Sequence, residues 1–379
     1  MPTAVSTGTP ANVQTAQNGQ KAAPTAVVPF IRASGLHRES VWDNSYTLGT
    51  SQVDIPPIDI NAYGYMRSVV ILVTTTTAGG GTSVTTVEDG PFNLLQNIQL
   101  QQPNGFPFVQ LSSGYHLYLI NKLGGYQGYN DPKIVNYSYS NGSGTAPTLG
   151  FMLRIPVEMN IRDALGSLPN KNAAAPFKLK MSLNTLANVF GGSPTSPTIR
   201  VRVILEAWDQ PPDIINGQTA QVTPPAMNTI QYWTEQPISV SGGQFNARLT
   251  RMGNYLRMII PVLRRSSGTR ANGQSDWPDP LTVLIDQRNQ DYILKPLWLQ
   301  DWYEKWGYSG TADAAGGPEN GVFPYDWCHE FDGRVGHENR DLWLPTIEAT
   351  RFELSGSWAN AGVVTVLTND VAPQGNVFV

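Results

Sequence analysis

The sequence predicts an all-β chain folded as two consecutive strand-rich halves of sandwich or barrel type, with a few short helices. Short apolar or β-branched runs recur at close intervals on both sides of a proline-rich break. The 379 residues include 36 glycines and 29 prolines, the turn content that many short strands require. That length exceeds one ordinary core and suits two domains of roughly 150 to 180 residues.

Residues 1–40 read as an N-terminal arm. Up to about residue 28 they are Ala, Thr, Gln, Pro and Gly with little to bury, which predicts flexibility in isolation. Their charge is one-sided: Lys21, Arg32 and Arg38 have no acidic counterpart from Met1 to Arg38, and Val27, Val28, Phe30 and Ile31 lie among them. A cationic, partly apolar arm of this kind suits a neighbouring subunit or an anionic lipid surface.

The first strand-rich half is expected over 41–210. YMRSVVILVTTTT, from Tyr65, is β-branched and apolar enough for a strand buried on both faces. Asn97 to Gln101 alternates, with Ile98 and Leu100 on one face. Pro103-Asn104-Gly105 reads as a hairpin turn and Phe106 to Leu111 as the returning strand. Tyr115 to Leu123 reads as a short helix capped by Ser112 or Ser113, with Tyr115, Leu119 and Leu123 on one face and Gly124-Gly125 as its stop. Further strands follow at Phe151–Glu158, Phe177–Leu183 and Thr198–Trp208. In the last, Ile199, Val201, Val203 and Leu205 point one way, and Arg200, Arg202, Ile204 and Glu206 the other.

The stretch DQPPDIINGQTAQVTPPAM, from Asp209, has no apolar period, and a linker is drawn at 211–228. The second half, 229–379, shows strand signals at Thr229–Thr234, Phe245–Leu249, Tyr255–Leu263, Leu281–Ile285, Thr346–Trp358 and Val363–Leu367. One helix interrupts them, with Pro296 in its first turn and Trp298, Trp302 and Trp306 on one stripe, read as core or interface packing. Each half thus carries about eight strands and one prominent helix, without evident sequence identity between the halves.

Composition narrows the function. Charged residues are only 14% of the chain, against roughly 25% in an average soluble domain, so the chain is expected either to hide much of its surface against partners or to sit at high local concentration in a lattice. A net charge of -4 argues against a general nucleic-acid binder. The single cysteine, Cys328, excludes an intramolecular disulfide and fits folding in a reducing cytoplasm. No apolar run reaches the roughly 18 residues that cross a bilayer, and the first residues lack the basic and apolar regions of a secretory signal, so the chain is expected to be soluble when made.

Chemistry-bearing motifs are absent. There is no glycine-rich phosphate loop with its lysine and no nucleophile elbow, and Gly142-Ser143-Gly144 reads as a turn. DWCHEFDGRVGHENRD, from Asp326, is rich in ligand types. However, Cys328 and His329 are adjacent, as are His337 and Glu338, and strand geometry would point each pair apart. Glu330 and Asp332 are read as solvated acids rather than a hydrolytic pair. His116 is read as a packed helix residue. Arg264-Arg265, with Arg257 and Arg270, lacks interleaved aromatics and is read as a contact to an acidic neighbour. No cofactor, metal or enzymatic activity is expected.

The most distinctive segment is EDGPFNLLQNIQLQQPNGFPFVQLSSGYHLYLIN, Glu88 to Asn121. It resembles the first jelly roll of major capsid proteins of tailless, membrane-containing phages, the tectivirus family. Their pattern is matched by Asp89, Gly90, Pro91, Asn93, Leu94, Pro103, Ser113, Gly114, Tyr115, His116, Leu117 and Asn121. Weaker likeness extends to Pro156, Asp163, Leu165, Gly166, Lys178, Leu179 and Lys180, to Trp208–Pro212, to Phe323-Pro324 before Cys328, and to Asn360–Gly362. The N-terminal arm departs from the family in having fewer helix-forming apolar residues.

The resemblance implies two consecutive eight-stranded jelly rolls and a structural, non-enzymatic capsid protein. It implies pseudo-hexagonal homotrimers tiling an icosahedral virion shell around an internal membrane. Implied partners are further copies of the chain, vertex penton and minor capsid proteins, and the internal viral membrane through the N-terminal region, with no direct sequence-specific nucleic-acid binding. The implied location is the virion, after synthesis in the host cytoplasm. Two rival readings stand beside it: a carbohydrate-binding jelly-roll protein, such as a phage spike or lectin module, using Tyr126, Tyr129, Tyr137 and Tyr139, and a β-sandwich glycosidase using Glu330 and Asp332.

Overall fold

The computed structural model describes residues 27–372 except 78–81, 125–130, 135–136, 141, 144–147, 192–195, 228, 272–275, 277 and 329–338. A one-turn helix α1 (Phe30–Ala33) leads into eight principal strands, with shorter ones between them: β1 (Leu36–Thr47), β2 (Val53–Asp59), β3 (Tyr65–Thr77), β4 (Leu95–Gln101), β5 (Pro107–Ser113), β6 (Thr148–Pro156), β7 (Lys178–Leu183) and β8 (Thr198–Trp208). Helix α2 (Gly114–Leu123) follows β5, and a single turn α3 (Leu186–Val189) follows β7. The strands form two antiparallel sheets, ordered β1-β8-β3-β6 and β2-β7-β4-β5.

The second half repeats this plan. Its strands are β9 (Ile230–Val240), β10 (Gly243–Leu249), β11 (Tyr255–Arg265), β12 (Leu281–Ile285), β13 (Arg288–Ile293), β14 (Tyr325–Asp326), β15 (Phe352–Trp358) and β16 (Gly362–Ala372). Its antiparallel sheets run β9-β16-β11-β14 and β10-β15-β12-β13. Each strand thus has the neighbours of its counterpart eight strands earlier, and helix α4 (Lys295–Trp306) follows β13 as α2 follows β5. This is the double jelly roll. A parallel pairing of Val109 in β5 with Trp233 in β9 fuses one sheet of each roll into a single continuous sheet.

The core follows the alternation of the strands. Val69, Ile71 and Val73 of β3 and Ile199, Val201, Val203 and Leu205 of β8 are fully buried, facing Ile98 and Leu100 of β4 within one hydrophobic cluster that runs through both rolls. The β4–β5 turn closes as expected, with Gln102 N donating to Phe106 O at 2.9 Å and Gly105 at φ 86°. In α4, Trp298, Trp302 and Trp306 are buried, and Gly307, at φ 66°, ends the helix.

Several strands carry no clear sequence signal. β1 and β13 are edge strands, each paired on one side only, and their sequences, LHRESVWDNSYT and RNQDYI, are largely polar. β1 also slips register between Ser40 and Trp42, which breaks the period of two. β1 begins at Leu36, inside the stretch assigned to the arm, because its ladder to β8 starts at the Leu36–Trp208 pair. The strand expected from Thr346 starts only at Phe352. Thr346 instead donates its hydroxyl to Asn254 O at 2.7 Å, and Thr350 donates to Asp286. Within the linker stretch, Ile214–Ile215 pairs with Gln218–Thr219 as a small hairpin.

Truncating Trp302, which is 1% exposed and packs its ring 5.6 Å from Trp298 and 5.7 Å from Trp306, opens a large cavity in the second roll. Trp302→Ala is expected to cost about 3–5 kcal/mol, read as a lower midpoint in denaturant unfolding.

Candidate functional site

The segment from Glu88 to Asn121 sits where the two rolls meet, and its side chains act mainly as fasteners. Asp89 Oδ2 accepts from the Arg264 guanidinium at 2.6 Å and Asp89 Oδ1 lies 3.2 Å from Arg270 Nε, while Glu88 Oε2 accepts from Arg270 N at 2.7 Å. The Gly90–Pro91 peptide bond is cis. Asn93 Nδ2 donates to Asn188 O at 2.8 Å, and Asn93 O accepts from Asn184 at 3.1 Å, so this asparagine ties the turn to the α3 region. Phe92, between the matched residues, stacks on Tyr118 at 4.2 Å, and Leu94 is fully buried.

Ser113 caps α2 by accepting from Tyr115 N at 3.2 Å. A Cβ on Gly114 would lie 2.3 Å from Phe92 O, so only glycine permits the close approach of the helix start to the preceding turn. His116 Nδ1 lies 2.6 Å from Glu235 Oε2 of β9, and Glu235 Oε1 accepts from Ser112 N at 2.9 Å. Burial pushes the Glu235 carboxyl up, but His116 and Ser112 outweigh it and hold it below its ordinary value. Asn121 forms a two-way clamp on β6: its amide nitrogen donates to Arg154 O and its oxygen accepts from Arg154 N, both at 2.7 Å.

All ten residues of α2 are buried, Lys122 among them. Lys122 Nζ meets Asp131 Oδ2 at 2.9 Å and Glu319 Oε1 at 2.8 Å, with all three side chains at zero exposure. Glu319 comes from the second roll and also receives Lys133 at 3.1 Å, Arg270 at 3.3 Å, and the hydroxyls of Tyr118 at 2.7 Å and Tyr115 at 3.1 Å. Arg270 reaches Asp313 at 2.8 Å. Burial alone would raise the Glu319 carboxyl, but Lys122, Lys133 and Arg270 reverse this and hold it far below the usual carboxylate range. The same enclosure pushes the Tyr115 and Tyr118 hydroxyls well above their ordinary value.

The basic cluster therefore finds its acidic neighbour inside the chain, not on another subunit as expected. Arg264 binds Asp89, Arg265 Nε donates to Asp276 at 2.8 Å, and Arg257 is buried, donating to Asn369 Oδ1 at 2.6 Å. Sequence reading missed Lys122, Asp131, Glu235 and Glu319: Glu235 and Glu319 meet partners remote in sequence, as with the 204-residue separation of Tyr115 and Glu319, while Lys122 and Asp131 are close in sequence but share no regular element whose period would pair them. The available signal was a lone lysine in LYLINKL, a helix with no other charge in that stretch.

The arm residues divide. Lys21 lies outside the described residues. Val27 is exposed, and Val28 is anchored by donating to Thr219 O at 2.9 Å and accepting from Gln221 N at 2.9 Å. Phe30 is not free for a lipid or a neighbour: it is 1% exposed, edge-on to Tyr65 at 5.3 Å and Trp208 at 6.3 Å, with Ile31 packed beside it. Arg32 is exposed, and Arg38 Nε pairs with Glu206 at 2.8 Å. The apolar residues around Phe30 close the end of the first roll rather than extending an arm.

The residues of the rival readings are placed differently. His329, Glu330, Asp332 and His337 lie outside the described residues, as do Tyr126 and Tyr129. Cys328 is buried, and among the described residues no three His, Cys, Asp or Glu side chains are grouped to hold a metal ion. Tyr137 is half-buried and stacks on Phe92 at 5.8 Å.

One buried carboxyl is held differently. Glu158 Oε2 accepts from Trp208 Nε1 at 2.6 Å and lies 3.1 Å from Arg67 Nε, while among the described residues Oε1 has no hydrogen-bond partner. Burial raises its pKa to about 7 against the pull of Arg67.

No protein-family model matches the sequence, and no curated protein matches it. Solved structures do. The chain is similar to the major capsid protein of STIV, Sulfolobus Turreted Icosahedral Virus, with TM-score 0.58 and 14% identity over 90% of this chain and 97% of that one. It is similar to VP54 of PBCV-1, with TM-score 0.56 and 11% identity over 90% and 94% of the two chains. The major capsid protein of bacteriophage PM2 gives TM-score 0.51 and 9% identity over 90% and 99%. The double jelly roll is thus the fold shared with these capsid proteins along nearly the whole chain.

Two outcomes follow from this geometry. Glu319→Ala leaves Lys122, Lys133 and Arg270 short of a buried anion, and is expected to cost roughly 3–5 kcal/mol in denaturant unfolding. For Glu158, the folded state holds the proton more tightly than the unfolded chain, whose value is near 4.5. Its stabilisation is therefore full below about pH 4.5 and is lost as pH rises through about 7, a change of about 3 kcal/mol. Unfolding midpoints measured across that window should fall for the native protein, and Glu158→Gln should flatten the profile.

Proposed function

We propose that the chain is the major capsid protein of an icosahedral, membrane-containing virus of tectivirus-like type. The observation that carries this reading is the repeated strand order of the two rolls, fused side by side through the β5–β9 pairing. A chain built as two matched columns becomes, in a homotrimer, six columns with a nearly hexagonal outline. Such a tile fills a shell by sixfold-like packing although it has only threefold symmetry. The similarity to viral capsid proteins over nearly the full chain supports the same reading.

A tile must hold its shape while neighbours pull on it. The buried ion network and the His116–Glu235 contact serve that need by fixing one roll against the other. Low overall charge fits a surface much of which faces other copies. We infer that residues 1–26, with Lys21 as their one charged side chain and no acid, face inward to the viral membrane or to adjoining subunits. Arg32, exposed on α1, adds positive charge where that arm joins the roll. Vertex penton and minor capsid proteins complete the partner set of this reading. The chain is made in the host cytoplasm and ends in the virion, without enzymatic activity or sequence-specific nucleic-acid binding.

The first test is native mass by light scattering in line with gel filtration. A particle three times the 41.4 kDa chain mass, stable to dilution, is expected; a persistent monomer would overturn the tile. Deleting Met1–Ala26, which spares Phe30 and β1, should leave the trimer folded and block closed, membrane-filled shells. Normal virions from the truncated protein would sink the inward-facing assignment of the arm.

A further inference from the structure

The Lys122 site has a chemistry that packing alone does not require. An amine and a carboxyl group are held in contact, Lys122 Nζ to Asp131 Oδ2 at 2.9 Å, with no solvent exposure on either side chain. A second carboxylate, Glu319, touches the same nitrogen at 2.8 Å. The rings of Tyr118 and Tyr308 flank Nζ at 5.6 and 5.0 Å from their centroids. We propose that Lys122 and Asp131 condense into an intramolecular isopeptide bond, with Glu319 as the proton carrier.

The step starts with transfer of one proton from the Lys122 ammonium to the Asp131 carboxylate across their 2.9 Å contact. The free lone pair on Nζ then attacks Asp131 Cγ, forming the N–C bond. Asp131 Oδ2 takes the developing negative charge and already accepts from Gly316 N at 3.0 Å. Acylation makes the positively charged Nζ far more acidic than a lysine ammonium, and it gives up its second proton to Glu319 Oε1, 2.8 Å away. From there the Tyr118 hydroxyl, 2.7 Å from Glu319 Oε1 and 3.1 Å from Asp131 Oδ1, offers a path to the leaving oxygen. Lys133 N also donates to that oxygen, at 2.9 Å. The Cγ–Oδ1 bond breaks, and one water departs. An ammonium and a carboxylate become an amide and water, with no oxidant or other reactant.

Charge balance favours the product. Once Lys122 and Asp131 are joined, Glu319 and Asp313 remain opposite Lys133 and Arg270, so no buried ion is left unmatched. The bond would fasten the last turn of α2 to the segment at Asp131, beside the second roll. It does not depend on the capsid reading.

The test is the intact mass of the purified full-length protein, set against its Lys122→Arg variant so that any terminal processing cancels. The native protein is expected to fall about 18 Da, one water, below the mass its sequence requires, and the variant to show the full mass. Trypsin should fail to cut after Lys122, giving one peptide from Ser68 to Lys133 lighter by that water. Glu319→Gln should slow or abolish the loss. Full mass with cleavage after Lys122 would overturn the proposal. Loss of water with cleavage after Lys122 retained would overturn it too, since the dehydration would then lie elsewhere. The peptide map of the native protein decides the matter even if a variant fails to fold.

Discussion

A helix buried on every side must have each of its polar groups met by something other than water, and α2 is such a helix. Its Ser113 cap, His116, Asn121 and Lys122 are each met by a specific partner, and two of those partners, Glu235 and Glu319, belong to the second roll. Leaving Lys122 without Glu319 would strand a charge in a closed interior, so the second roll cannot pivot away from the first without that cost. The placement of the two rolls is therefore set by electrostatics as well as by the shared sheet.

The two rolls execute one topology with different materials. In the first, β6 is a full strand of nine residues, whereas its counterpart β14 has two. In the second, the helix after the fifth strand is anchored by three buried tryptophans, with the Lys305–Asp326 pair at 2.7 Å beside them. The two helices meet at the seam: Trp306 Nε1 donates to Leu123 O at 2.7 Å, and the Tyr308 hydroxyl donates to Lys122 O at 2.9 Å. These bonds satisfy carbonyls at the end of α2 that would otherwise lack partners. The repeat is one of architecture, and each copy is held by its own side chains.

On the outer face of the β1-β8-β3-β6 sheet, charges are largely neutralised in place. Arg200 pairs with Asp43 at 2.6 Å, and Glu206 accepts from Arg38 at 2.8 Å and Ser68 at 2.6 Å and pairs with Arg154 at 3.1 Å. Arg264, Arg265 and Arg270 are likewise paired within the chain.

The sequence by itself determined the class of fold, the central strands and the two helices. Those features rest on local signals: β3 is a continuous β-branched apolar run, β8 alternates over many residues, the tryptophans of α4 recur every four, and Pro103-Asn104-Gly105 marks a turn without help from elsewhere. The resemblance of Glu88–Asn121 pointed to the segment around which the structure joins its halves. Only the tertiary structure decided the edge strands β1 and β13, whose polar sequences become strands because a neighbour offers a ladder. It alone decided that Phe30 closes a roll instead of leaving it, and that Arg270 and Glu319 are partners. The physical reason is range. Backbone preference and side-chain period act over a few residues, whereas the energy of a buried charge depends on a group brought near by the whole fold.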